Sequence, residues 1–166
     1  MNPRLTYVGR DLYRSEDRTF RFVDLKRFGV DEPADDPALI GALLGHVRYR
    51  DHYTSGETED LDPGPLHGPY RLDAITPEAY EPITEDQANA TIGEFIDLSG
   101  GAPTKLHDEI AAGLNPLIRS ARSRFRLRHL PDEARHEFGW VLWEFREVLF
   151  VGTDGKQLTL VVMAID

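Results

Sequence analysis

The chain contains no cysteine, which excludes a disulfide scaffold, Cys-ligated zinc, redox dithiols and a thiol nucleophile. Lysine is scarce as well, since Lys26, Lys105 and Lys156 are the only ones among 19 Lys and Arg. That bias reflects a GC-rich bacterial coding sequence before it signals guanidinium chemistry. Long apolar runs are lacking too. The longest, Leu158 to Ile165, falls far short of the roughly 20 residues of a membrane-spanning helix. The opening M-N-P-R-L-T-Y-V-G-R-D carries charge and turn formers where a secretion signal needs an apolar core. A cytoplasmic protein without a membrane association is expected.

Recognisable catalytic motifs are missing in the same way. None of Ser15, Ser55, Ser99, Ser120 and Ser123 sits in a G-x-S-x-G elbow, and neither a Walker loop nor G-x-G-x-x-G occurs. His46, His52, His67, His107, His129 and His136 are spaced so that no two make a helical zinc pair. Asp51 beside His52, and His107 before Asp108 and Glu109, are the nearest approaches to an acid–base or ligand cluster. With 29 acidic residues such neighbours arise by chance. No catalytic residue, metal or cofactor is assigned.

What the chain does have is acid. A net charge of −10 favours solubility and opposes binding to nucleic acid or anionic lipid. Its 166 residues fit a single domain, 1–166, able to bury a sizeable core without staples.

The end of the chain dominates the folding pattern. W-V-L-W-E-F-R-E-V-L-F-V, then G-T-D-G, then K-Q-L-T-L-V-V-M-A-I-D reads as a hairpin of two strands, the first over Trp140 to Val151. In the second strand Leu158, Leu160, Val162 and Ala164 face one way and Val161, Met163 and Ile165 the other. Apolar on both faces, it has to be central or covered, and association of two copies through it is one way to cover it. Trp140 and Trp143, three apart, would then point to opposite faces, with Trp143 a candidate contact anchor. A helical period through Phe138, Val141, Leu142, Phe145 and Leu149 competes with this strand assignment.

At the other end, alternation through Leu5, Tyr7 and Leu12, and through Phe20, Phe22 and Leu25, predicts a first hairpin turning at Ser15 to Asp17, with a bulge near Val23 and Asp24. Asp36 as cap and Pro37 in the first turn start a helix expected to run to about Arg48. Residues 51–82 form a long acidic loop rich in Pro and Gly, a length that in a compact domain is functional or mobile. An edge strand from Pro69 to Thr76 and a helical turn at Thr76 to Glu78 are expected within it. Thr84 and Gln87 make a capping box for a helix over Glu85 to Ser99, ended by Gly100 and Gly101. A further helix spans Thr104 to Leu114, where Asn115 and Pro116 are expected to stop it. A helical turn is expected at Pro131 to His136.

Arg119 to Leu130, R-S-A-R-S-R-F-R-L-R-H-L, is the one basic block. As a strand it would set Arg122, Arg124, Arg126 and Arg128 on one face. Four guanidinium groups in a row need a negative counterpart, either a carboxylate or phosphate ligand or the chain's own acids at Asp31 to Asp36 or Glu57 to Asp62.

The sequence therefore predicts an α+β domain, an antiparallel sheet from an N-terminal hairpin and C-terminal strands with about three helices on one face. The leading functional expectation is a non-catalytic cytosolic module that binds another protein, an acidic adaptor or an inhibitor of the immunity type. The alternative is an anion- or phosphate-binding domain, hydrolytic in its strongest form, using the arginine block with the loop from Asp51 to Tyr70. Arg122, Arg124, Arg126, Arg128 and Trp143 are the candidate binding residues.

Overall fold

The computed structural model describes residues 3–15, 20–53 and 63–166. Strands β1 (Leu5–Arg14), β2 (Arg21–Val30), β5 (Tyr80–Pro82), β6 (Ser123–Leu127), β7 (Glu144–Val151) and β8 (Gln157–Ile165) form one antiparallel sheet in the order β1-β2-β8-β7-β6-β5. The α+β class and both hairpins are as expected. The first turn itself, Ser15 to Asp17, falls partly outside the described residues.

β8 explains the layering. It pairs with β2 along one edge and β7 along the other, and Leu158 through Ile165 are all buried. Leu158, Leu160, Val162 and Ala164 enter one core; Val161, Met163 and Ile165 enter a second on the opposite face. Fully burying one such side chain is worth about 1.5–3 kcal/mol, so neither face can be left to water. No edge or face of this strand remains for a second copy, and the expected dimer contact through it is overturned by its central position.

The two faces are covered differently. Helices α2 (Glu85–Asp97) and α3 (Thr104–Ser120) pack together over one face through Ile92, Phe95, Ile110, Leu114 and Ile118. Helix α1 (Asp36–Leu44) covers the other, with the largely irregular chain over residues 45–53, 63–79 and 128–142. The helices are thus divided between the faces, because a strand apolar on both sides needs two covers.

Several boundaries differ from the sequence reading for local reasons. Helix α1 is capped by Asp35, whose side chain accepts from the Ala38 amide at 2.9 Å, and it stops at Gly45. α3 continues through Pro116 to Ser120 because Leu114 and Ile118 extend its buried stripe. The Ala112 carbonyl that Pro116 leaves without its helical donor belongs to an exposed residue. The hairpin irregularity lies on β1, between Tyr7 and Gly9, and not at Val23. In place of an edge strand over Pro69 to Thr76, a two-residue strand β4 (Tyr70–Arg71) pairs with β3 (Leu66–His67), followed by a 3₁₀ turn at Leu72–Ala74. The capping box of α2 is present, with Thr84 Oγ1 accepting from the Gln87 amide at 3.1 Å and Gln87 Oε1 from the Thr84 amide at 2.9 Å. The expected turns after Thr76 and Pro131 are 3₁₀ turns at Pro77–Ala79 and Asp132–Ala134.

The β3–β4 turn is pressed against β7. Gly68 has a φ of 56°, and a Cβ there would overlap the Phe145 ring. Gly68→Ala is expected to cost about 1–3 kcal/mol and to lower Tm by several degrees. Gly41→Ala, in α1 with open space around it, should leave Tm unchanged or raise it. Thermal unfolding followed by circular dichroism checks both.

Candidate functional site

The arginine block does not form a single row. β6 holds only Arg124 and Arg126, which point toward α2 and α3; Arg122 precedes the strand and Arg128 follows it. Each has a carboxylate or carbonyl opposite. Arg122 donates to Asp36 at 2.8 Å, and Arg124 Nε to the Ile118 carbonyl at 2.7 Å in the last turn of α3. Arg126 forks onto Glu81 Oε1 at 2.8 and 3.0 Å and also donates to Thr91. Arg128, the most exposed, lies 3.9 Å from Glu81. The chain's own acids at Asp36 and Glu81 meet the block; Glu57 to Asp62 lie outside the described residues.

β6 and β7 stay paired only as far as Arg126 opposite Val148, after which the chain turns away as the Arg128 amide donates to the Ala79 carbonyl. The first four residues of β7, Glu144 to Glu147, therefore have no β6 neighbour. A cleft of about 250 Å³ opens in the gap. Arg126, Arg128 and Arg146 line it against Glu81, Glu94, Glu144 and Glu147, with Tyr70, Phe145 and His129. Arg146 is held by Glu144 at 2.8 Å and Glu94 at 2.9 Å. Three guanidinium groups face four carboxylates, so the lining carries no surplus of positive charge.

Behind the cleft lies a buried ring of hydrogen bonds. Tyr80 donates to Glu147 Oε1 at 2.6 Å, and Tyr49 to Tyr80 at 2.6 Å; Glu147 Oε2 meets His67 Nε2 at 2.7 Å, and His67 Nδ1 donates to the Tyr49 carbonyl at 2.6 Å. With Nδ1 committed as donor to a carbonyl, the His67–Glu147 contact holds one proton between its atoms. The His67 ring stacks on Tyr49 at 3.7 Å and meets Tyr53 and Phe145 edge-on. Both Glu147 oxygens are already engaged and the residue is 1% exposed, so it serves as a hub for this layer and is out of a substrate's reach.

A second cluster continues the polar seam toward β1. Lys26 Nζ donates to Asp51 at 3.1 Å, Tyr53 at 3.0 Å and the Arg48 carbonyl at 3.1 Å, while Asp24 takes Arg10 at 2.7 Å. Burial raises the Asp24 carboxyl above its ordinary range, against the downward pull of Lys26 and Arg10. Asp24 and Glu147 each pair with Val162 of the central strand, so they lie in one row across the sheet.

Beside the cleft the chain exposes its largest apolar side chains. Phe138 (67%), Trp140 (65%), Val141 (48%) and Trp143 (55%) face water. β7 begins only at Glu144, with a 3₁₀ turn over Gly139–Val141, so the expected strand from Trp140 and the opposite facing of the two tryptophans are corrected. Their segment is nonetheless fixed in place. His136 accepts the Phe138 amide and donates through Nε2 to the Gly68 carbonyl at 2.8 Å; Gly139 and Leu142 are buried, Gly139 against Pro69. The Arg135 guanidinium lies 4.9 Å from the Trp140 ring centre and 5.8 Å from that of Tyr70, which itself lines the cleft.

Comparison with protein-family models, with curated proteins and with solved structures finds no match to this chain. Of the sequence candidates, the cleft brings Arg126 and Arg128 together, and Trp143 directly precedes its lining residue Glu144; Arg122 and Arg124 bind elsewhere. Glu147, His67 and Tyr80 were not singled out from sequence. A charged residue inside the apolar run V-L-W-E-F-R-E-V-L-F-V was the available signal for Glu147. Among the described residues no helix is long and apolar enough to cross a membrane, and no group of three or more His, Asp or Glu is placed to hold a metal.

Two outcomes follow from these contacts. Arg124 closes the end of α3 and Arg126 ties β6 to β5 and α2, so Arg124→Ala with Arg126→Ala should destabilise the domain by about 2–4 kcal/mol, measured by denaturant titration. Burial, reinforced by nearby acids, holds the hydroxyls of Tyr49, Tyr53 and Tyr80 well above the ordinary phenol value of 10.0. They ionise in the unfolded chain first, so the fold loses stability as pH rises past that value. The slope is roughly 4 kcal/mol per pH unit for three phenols. Tyrosinate absorbance from these three should appear together with unfolding in an alkaline titration.

Proposed function

We propose that the protein is a non-catalytic protein-interaction module, an acidic cytoplasmic adaptor or inhibitor, and that Phe138 to Trp143 is its contact surface. The observation carrying this reading is that four large apolar side chains stand exposed within six residues on a segment pinned by hydrogen bonds and buried neighbours. Scattered exposed apolar residues are ordinary, but a contiguous group containing two tryptophans is typical of interface anchors. Pinning lowers the ordering cost of binding, as a preorganised contact surface requires. Arginines already matched by acids, and a Glu147 carboxylate already hydrogen-bonded on both oxygens, also favour recognition over chemistry.

The anion-binding alternative draws on one observation, that the cleft joins Arg126, Arg128 and Arg146 in a concave site. A phosphate there would have to displace Glu81, Glu94 and Glu144 from guanidinium groups they already hold, and these three carboxylates would repel it.

Trp140→Ala with Trp143→Ala is expected to leave Tm and the circular dichroism spectrum near wild type. Affinity capture from source-cell lysate, compared between wild type and this variant by quantitative mass spectrometry, should show the partner depleted at least about tenfold. Equal capture by the two proteins, both folded, overturns this contact surface.

A further inference from the structure

The exposed aromatic segment and the cleft adjoin, and they share one chemistry. We infer that the partner presents a basic segment, one arginine side chain of which enters the cleft between β6 and β7 while the flanking chain lies on Trp143 and Trp140. This rests on the interaction reading above and adds the nature of the partner to it.

Charge is the first reason. Glu147 of the lining is buried and committed, so Glu81, Glu94 and Glu144 balance three guanidinium groups there, and the local excess of negative charge lies with Asp132, Glu133 and Glu137, exposed along the aromatic segment. With a net charge of −10 on the chain, a cation gains from the local site and from the long-range field, and an anion from neither. Shape is the second. A volume of about 250 Å³ has room for the end of a long side chain. The third reason is that the surface already binds a guanidinium. Arg135 lies over Trp140 and Tyr70, which shows these rings geometrically open to that group. Trp143, directly before the cleft-lining Glu144, offers a further exposed indole face to an incoming one. Glu144 and Glu94 each hold Arg146 through one oxygen, Oε1 at 2.8 Å and Oε2 at 2.9 Å, so each has a second carboxylate oxygen with which to meet another guanidinium.

The experiment is an NMR titration of the ¹⁵N-labelled protein with the peptide acetyl-Gly-Arg-Gly-Arg-Gly-amide, with its glutamate counterpart and inorganic phosphate as comparators. The arginine peptide should move the indole signals of Trp140 and Trp143 and the amides of Glu144 and Arg146, saturating halfway at roughly millimolar concentration. Trp143→Ala with Glu144→Gln should weaken this at least about tenfold; the glutamine keeps an acceptor for Arg146, and Tm reports whether the variant folds. An arm without mutation is salt, which should weaken the wild-type titration progressively. The inference is overturned by an arginine peptide that moves nothing at tens of millimolar, by equal shifts from the glutamate peptide, or by salt independence. Phosphate shifts at Arg126 and Arg128 without a response to the arginine peptide would overturn it in favour of the anion site. A silent arginine peptide alongside lost capture in the Trp140→Ala, Trp143→Ala variant leaves the interaction reading standing and removes only the basic segment.

Discussion

Everything in this fold depends on shielding both faces of one strand. β8 has no polar side chain between Leu160 and Ile165, and pairing with β2 and β7 satisfies its backbone while leaving two apolar surfaces to be removed from water. A single helical layer can shield only one of them. The second face needs its own cover, and the described residues between β2 and β5 supply it with one short helix and the largely irregular stretches 45–53 and 63–79. That requirement places the segment that carries Asp51, Tyr53, His67 and Tyr70 over the sheet.

An irregular cover creates a second need. Coil packed on a sheet brings backbone amides and carbonyls into the core without partners of their own, and each must find one. Side chains supply them, Lys26 from the sheet and the others from the covering segment itself. Lys26 reaches the Arg48 carbonyl, His67 the Tyr49 carbonyl, and Asp51 accepts the Tyr53 amide. Beneath α2 and α3, where helices satisfy themselves, the corresponding positions Val23, Leu25, Val148, Phe150, Val161 and Met163 are apolar. Buried Arg21 fits the same rule, since its guanidinium meets the Leu98 carbonyl, just where α2 has ended. The polar seam is thus accounted for by the fold.

Local pattern decided what was legible in the sequence. Period-two alternation fixes faces, so Leu158 to Ile165 divided correctly between two cores, and Thr84 with Gln87 announced its helix through local chemistry. Arg124 and Arg126 shared a face for the same reason. Asp24, His67 and Glu147 could not be matched, since their partners lie far off in the chain and only the topology unites them. The start of β7 was misplaced because Trp140 and Trp143 have the composition of a strand, while Gly139 is drawn under Pro69 by a packing constraint no local pattern encodes. α3 outran Pro116 because tertiary burial of Ile118 outweighs one hydrogen bond lost at the surface.

The exposed tryptophans remain the feature that folding does not explain. Phe28, Phe150, Tyr49 and Tyr53 show that the chain can bury large rings on either face of the sheet. Leu142, between Trp140 and Trp143, is buried, so the segment is close enough to the core to have turned another ring inward. It turns the smaller side chain in and leaves both indoles out, at a cost in unburied apolar area of order 1–3 kcal/mol each. That cost is what the proposed contact surface rests on, because a second chain laid over the two indoles would recover the apolar area the monomer leaves in water.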